Sequence, residues 1–135
     1  MKKSIYLILL FIAQLSTSCS KDENNTNFIN PPDWIIGTWM DISNESGGFR
    51  FTSDNIYDLN PNGDVFMNLK EGLQEYVNTG KYIVDEYITD TNYTFKVTLS
   101  GTTAIEYEFI KNDGNTIIYV TSDFTDRYNI ILTKE

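Results

Sequence analysis

Period-two alternation dominates the second half of this 135-residue chain. In IEYEF, residues 105 to 109, Ile105, Tyr107 and Phe109 fall on one side of an extended backbone and Glu106 and Glu108 on the other. In FKVTL, residues 95 to 99, Phe95, Val97 and Leu99 oppose Lys96 and Thr98. TIIYV (116 to 120) and YNIIL (128 to 132) add β-branched and aromatic residues of the same kind. A helix would spread these side chains around its circumference, whereas a strand sorts them into one apolar and one wet face. The pattern therefore predicts half-buried antiparallel strands.

Turn chemistry punctuates the runs: SGG at 46 to 48, NPNGD at 60 to 64, EG at 71 to 72, TG at 79 to 80, SG at 100 to 101 and NDGN at 112 to 115. Glycine supplies left-handed corners there, and Asn and Asp bond their own backbone. Residues 69 to 77, LKEGLQEYV, carry a helical pattern weakened by Gly72. Short strands joined by tight turns make a meander, and closure is how a meander removes its exposed edges. The expected fold is all-β, a single small antiparallel up-and-down β-barrel of about eight strands over residues 34 to 135. That length supports one core.

Ahead of this domain the chain changes character. Lys2 and Lys3 precede an apolar run, IYLILLFIA at residues 5 to 13, which has the length of a signal-peptide core and falls short of the ~20 residues that span a bilayer. Small residues Ser16, Thr17 and Ser18 then lead to Cys19, the single cysteine. The segment resembles a relaxed lipobox of bacterial lipoproteins, with Leu15 four residues before the cysteine and Ser16 in the place usual for an aliphatic residue. The resemblance implies that residues 1 to 18 are a removed leader and that Cys19 carries acyl chains, palmitate among them. Several such chains, at about 0.8 kcal/mol per buried methylene, anchor a soluble domain durably.

Ser20, Lys21, Asp22 and Glu23 follow, and this SKDEN stretch is similar to the export signal of Bacteroidota lipoproteins. It implies an outer-membrane protein facing the cell surface, the inward-facing leaflet being the other reading. Residues 19 to 33, polar, rich in asparagine and closed by Pro31 and Pro32, read as a lipidated cysteine on a flexible tether.

Charge and composition narrow the function. Without residues 1 to 18 the chain loses two lysines and no acids, leaving 8 basic against 19 acidic residues, a net charge of −11. Nucleic acid binding needs the opposite sign. With no histidine and one cysteine, His-based triads, His-ligated zinc and disulfides are excluded, and no cofactor is expected.

The domain opens WIIGTWMD, residues 34 to 41, and its Gly37 and Trp39 resemble the G-x-W signature of lipocalin and related calycin barrels. YDLNPNGDVF (57 to 66), GKYIVD (80 to 85) and a closing YNIILTKE (128 to 135) agree with the small lipocalin-like domains of bacterial lipoproteins. The resemblance implies a basic side chain over Trp39, with Arg127 and Lys134 both available. It also implies a barrel mouth, for which Trp39, Tyr82, Phe95 and Tyr107 are the candidate ligand-lining residues. The inward set also holds Phe51, Phe109 and Tyr119, and rings of this bulk can instead fill a small barrel completely.

Two further constellations have plain explanations. DLNPNGDV sets Asp58, Asn60, Asn62, Gly63 and Asp64 at spacings of half an EF-hand loop, but its twelfth position is Leu69, and a hairpin turn accounts for the same residues. Glu106 and Glu108 could be read as a glycosidase pair, yet on the wet face of a strand they serve solvation. The expectation is a non-enzymatic, lipid-anchored envelope protein that binds a small apolar or amphipathic ligand. The alternative is a filled-core module docking a protein or glycan partner. Cys19→Ala should release the protein from the membrane fraction and abolish palmitate labelling; unchanged fractionation and labelling would refute the anchor.

Overall fold

The computed structural model describes residues 28 to 43, 45 to 122 and 127 to 135. Nine antiparallel strands form one sheet: β1 (Gly37–Asp41), β2 (Gly48–Thr52), β3 (Asn55–Leu59), β4 (Val65–Asn68), β5 (Tyr82–Ile88), β6 (Asn92–Leu99), β7 (Thr102–Lys111), β8 (Thr116–Ser122) and β9 (Arg127–Lys134). Among the described residues one helix, α1 (Leu69–Asn78), lies between β4 and β5, and a single 3-10 turn, Asp33–Ile35, precedes β1. Among the described residues no helix is long and apolar enough to cross a membrane.

The strand order is β4-β3-β2-β1-β9-β8-β7-β6-β5, so the first and last strands pair and the chain's middle is where the sheet stays open. The fold is the expected all-β, up-and-down, barrel-like one, with the sheet curled into a half-barrel. Phe49 on β2 and Phe109 on β7 stand four strands apart, a distance of about 19 Å across a flat sheet. Their ring centroids are 5.0 Å apart. Phe51 and Tyr93, five strands apart, approach to 6.3 Å. Only strong curvature brings such positions together, and the alternation read from the sequence supplies the rings that meet inside.

Closure fails between β4 and β5 for a local reason. β4 has four residues, three of them exposed, and α1 packs against β3, β4 and β5 in place of a pairing strand. Leu69 and Leu73 of α1 are buried in the common core. Asn68 caps the helix by accepting from the Glu71 N–H, and buried Asn55 accepts from the Lys70 and Ile56 N–H groups while donating to Asn68. The expected turn at Glu71 and Gly72 is thus helix interior, where the capping carries the glycine. A ninth strand arises because β2 and β3 turn through Ser53 and Asp54 without a glycine, with Asp54 held by Thr52 and by Lys70 at 2.6 Å.

One end of the half-barrel is closed by the chain's entry. Phe28 and Ile29 are buried in the core, which moves the start of the fold upstream of the expected boundary at residue 34. The Asn30 N–H donates to the Glu86 carboxylate at 2.8 and 3.0 Å, and the buried Tyr93 hydroxyl donates to the same group at 2.6 Å. Trp34 donates its indole N–H to the Thr89 carbonyl. Residues 28 to 33 are therefore tied to β5 and its following turn rather than left as tether.

Gly37 has φ +134°, and a Cβ there would come within 2.9 Å of the Lys134 side chain. Gly37→Ala should lower stability to urea by at least about 1 kcal/mol. Gly72→Ala, in open space on α1, should raise it by about 0.5–1 kcal/mol. Equal effects would contradict the assigned backbone.

Candidate functional site

At the end away from the Phe28 entry, the half-barrel carries a pocket of about 250 Å³ between the 46 to 48 segment, β2, β3 and the paired β8 and β9. Phe49, Asp58, Tyr119, Thr121 and Tyr128 supply its chemistry. Cross-strand pairing aligns them: Phe49 opposes Asp58, and Thr121 opposes Tyr128. The β3–β4 register shifts between Asp58 and Leu59, at this same end.

Two carboxylates stand near this mouth in opposite states. Asp41 is buried, yet accepts from the Ser43 N–H at 2.9 Å, the Ser43 hydroxyl at 2.7 Å and the Ser46 N–H at 3.1 Å. Burial alone would raise its pKa, and these bonds outweigh it and hold the carboxyl below the usual range. They also hold Ser43 and Ser46 in place, next to the 46 to 48 segment that rims the pocket. Asp58 sits on the inner face, two residues from the core residue Ile56, and is half-buried. Burial pushes its pKa up, opposed only by a bond from the Leu59 N–H, and among the described residues no Lys or Arg pairs with it. Burial, and then the charge of Asp58, pushes the Tyr107 phenol up; burial does the same to Tyr119, which bonds Thr121 and also feels Asp58.

The sequence candidates are distributed over different parts of the fold. Trp39 is a core residue at the closed side, its indole N–H donating to the Ile35 carbonyl at 2.6 Å. Lys134 is the cation over its ring, 5.2 Å from the centroid, while Arg127 pairs with Glu108 on the outer face. Gly37 leaves the room through which the Lys134 chain passes. Phe95 is fully buried and stacks toward Tyr107 at 6.4 Å. Tyr82 lies at the open edge against Tyr76 of α1, ring centroids 4.9 Å apart. Tyr107 packs on Phe49 at 5.4 Å and alone among the four sits beside the pocket's charged group. The four are thus not brought together around one space. Cys19, Ser20, Lys21, Asp22 and Glu23 lie outside the described residues.

The remaining constellations resolve locally. Glu106 opposes Lys96 across the strands and Glu108 pairs with Arg127, both on the outer face. Asn60 turns its side-chain oxygen onto the Asn62 and Asp64 N–H groups, at 2.9 and 3.0 Å, making the β3–β4 turn. Among the described residues no three acidic, histidine or cysteine side chains converge on a common metal position.

As pocket residues Asp58 and Tyr128 escaped the sequence reading, which took Asp58 only as part of the DLNPNGDV turn. The signal for Asp58 was present in NIYDL, where alternation sets it on the same face as Ile56, a carboxylate among apolar neighbours. Comparison of the chain with known protein families, with curated proteins and with solved structures finds no match.

Asp58→Asn should raise stability at neutral pH. A carboxyl whose folded pKa is raised contributes stability that is complete below its unfolded value and is lost as pH rises through the folded one. The advantage of the variant in urea midpoint should therefore shrink as pH falls through the folded pKa and vanish below ~3, where both states are protonated; an advantage independent of pH would contradict the assignment.

Proposed function

We propose that the protein is a lipid-anchored, non-enzymatic component of a bacterial outer membrane, facing the cell surface. Its domain, lipocalin-like in layout, binds a small amphipathic ligand at the open end of the half-barrel. The pocket beside Asp58 and Tyr128 carries this reading: a carboxylate and the hydroxyls of Tyr119, Thr121 and Tyr128 border one concave space at the mouth. At about 250 Å³ it suits a compact ligand rather than a long acyl chain.

The direction of the chain supports the same reading. The described residues open with Phe28 on the closed side, and a nine-residue stretch such as 19 to 27 could span at most about 30 Å. An anchor on Cys19 would hold that side toward the membrane and turn the pocket outward.

One observation favours a second reading, a filled-core module that docks a protein or glycan. The edges β4 and β5 expose Phe66, Ile83 and Tyr87 at 73%, 60% and 66% of their surface, and unpaired edges accept partner strands. Native mass spectrometry of the protein incubated with an organic extract of its own cells separates the two. A discrete adduct, lost in Tyr128→Ala, supports the pocket; the bare mass alone favours the docking module.

A further inference from the structure

The mouth holds two acids of similar placement and opposite satisfaction. Asp41 spends its oxygens on three donors from its own loop. Asp58 has a single backbone donor, no cation among the described residues, and borders the pocket that Asp41 does not line. Asp58 is only half-buried, so its carboxylate reaches the pocket and is available to a cation there.

The surroundings specify what would satisfy it. The half-exposed Tyr128 and the partly buried Tyr119 supply aromatic surface next to the acid, with Phe49, a buried core ring 4.9 Å from that of Tyr119, behind them. No basic side chain lines the pocket among the described residues. Aromatic faces attract cations through their quadrupoles, and a carboxylate among them supplies the counter-charge. Phenols near Asp58 and the Thr121 hydroxyl offer acceptors for ammonium N–H donors. The mature chain's net charge of −11, 8 basic against 19 acidic residues, adds a field that draws cations toward the surface.

We infer that the pocket is a site for a small organic ammonium ion, its charge on Asp58 and its apolar part against Tyr119 and Tyr128. This rests on the ligand-binding reading above and sharpens it to a ligand class. An anion would meet Asp58 with no cation between them among the described residues, and a neutral ligand would gain nothing from its charge.

Isothermal titration of the purified full chain with 2-phenylethylammonium, 2-phenylethanol and 3-phenylpropionate tests the assignment. The ammonium should bind at least tenfold more tightly than the alcohol, and the carboxylate should not bind. Asp58→Asn, with folding checked by near-ultraviolet circular dichroism, should abolish that preference and leave the alcohol's affinity unchanged; Tyr128→Ala should weaken ammonium and alcohol together. Equal binding of ammonium and alcohol, with no effect of Asp58→Asn, would overturn the ammonium assignment and leave a neutral-ligand pocket standing. Tighter binding of the carboxylate would overturn it as well. No heat from any of the three at millimolar concentration would overturn both the ammonium assignment and the ligand-binding reading.

Discussion

Aromatic contact across the concave side of the sheet is the interaction on which the rest depends. Phe49, Phe51, Tyr93, Tyr107, Phe109 and Tyr119 come from β2, β6, β7 and β8, and their centroids lie about 5 to 6 Å apart in edge-on and stacked pairs. Each ring brings a large apolar area, and offset or edge-to-face pairs add roughly 0.5–1.5 kcal/mol beyond burial. Reaching one another requires the sheet to curl. Curvature in turn creates a closed side, an open edge and a mouth, so the features with functional meaning follow from the packing of these rings.

The closed side and the mouth divide the labour. At the closed side the entering chain, with Phe28, Ile29 and Ile35, completes the core, and Glu86 collects the Asn30 and Tyr93 donors. Trp39 and Lys134 cover the same region. At the mouth the rings give way to hydroxyls and Asp58, and the 46 to 48 segment, held at Ser46 by Asp41, forms the rim. Filled space and accessible space thus coexist in one small domain. The choice between a packed barrel and a ligand-lining one is made position by position: Phe95 is core, whereas Tyr107 touches the polar boundary.

Much of this was legible in the sequence, and the reasons are physical. Alternation in FKVTL and IEYEF identified the inner face at Phe95, Val97 and Phe109, because a two-residue period cannot place Phe95 and Lys96 on the same side, but Leu99, expected with them, is exposed beyond the register shift between Val97 and Thr98. The helical segment at 69 to 77 was visible despite Gly72, since Leu69 and Leu73 keep helical spacing. The open edge was hidden, because the failure of β4 to meet β5 depends on α1 occupying the space between them. The Ser53–Asp54 turn was hidden as well, since hydrogen bonds from Thr52 and Lys70 do there what glycine does elsewhere. The site was least legible: nothing in the local sequence says that Tyr128 and Asp58, 70 positions apart, border one pocket.

Nuclear Overhauser contacts between aromatic side chains test the central claim most directly. Selective labelling of Phe and Tyr rings should give strong cross-peaks between Phe51 and Tyr93 and between Phe49 and Phe109, pairs that lie five and four strands apart in the sheet order. Their absence in the folded protein, with the β1–β9 backbone pairing retained, would describe a sheet that does not curl. The aromatic core, the mouth and the pocket beside Asp58 would then all fall together.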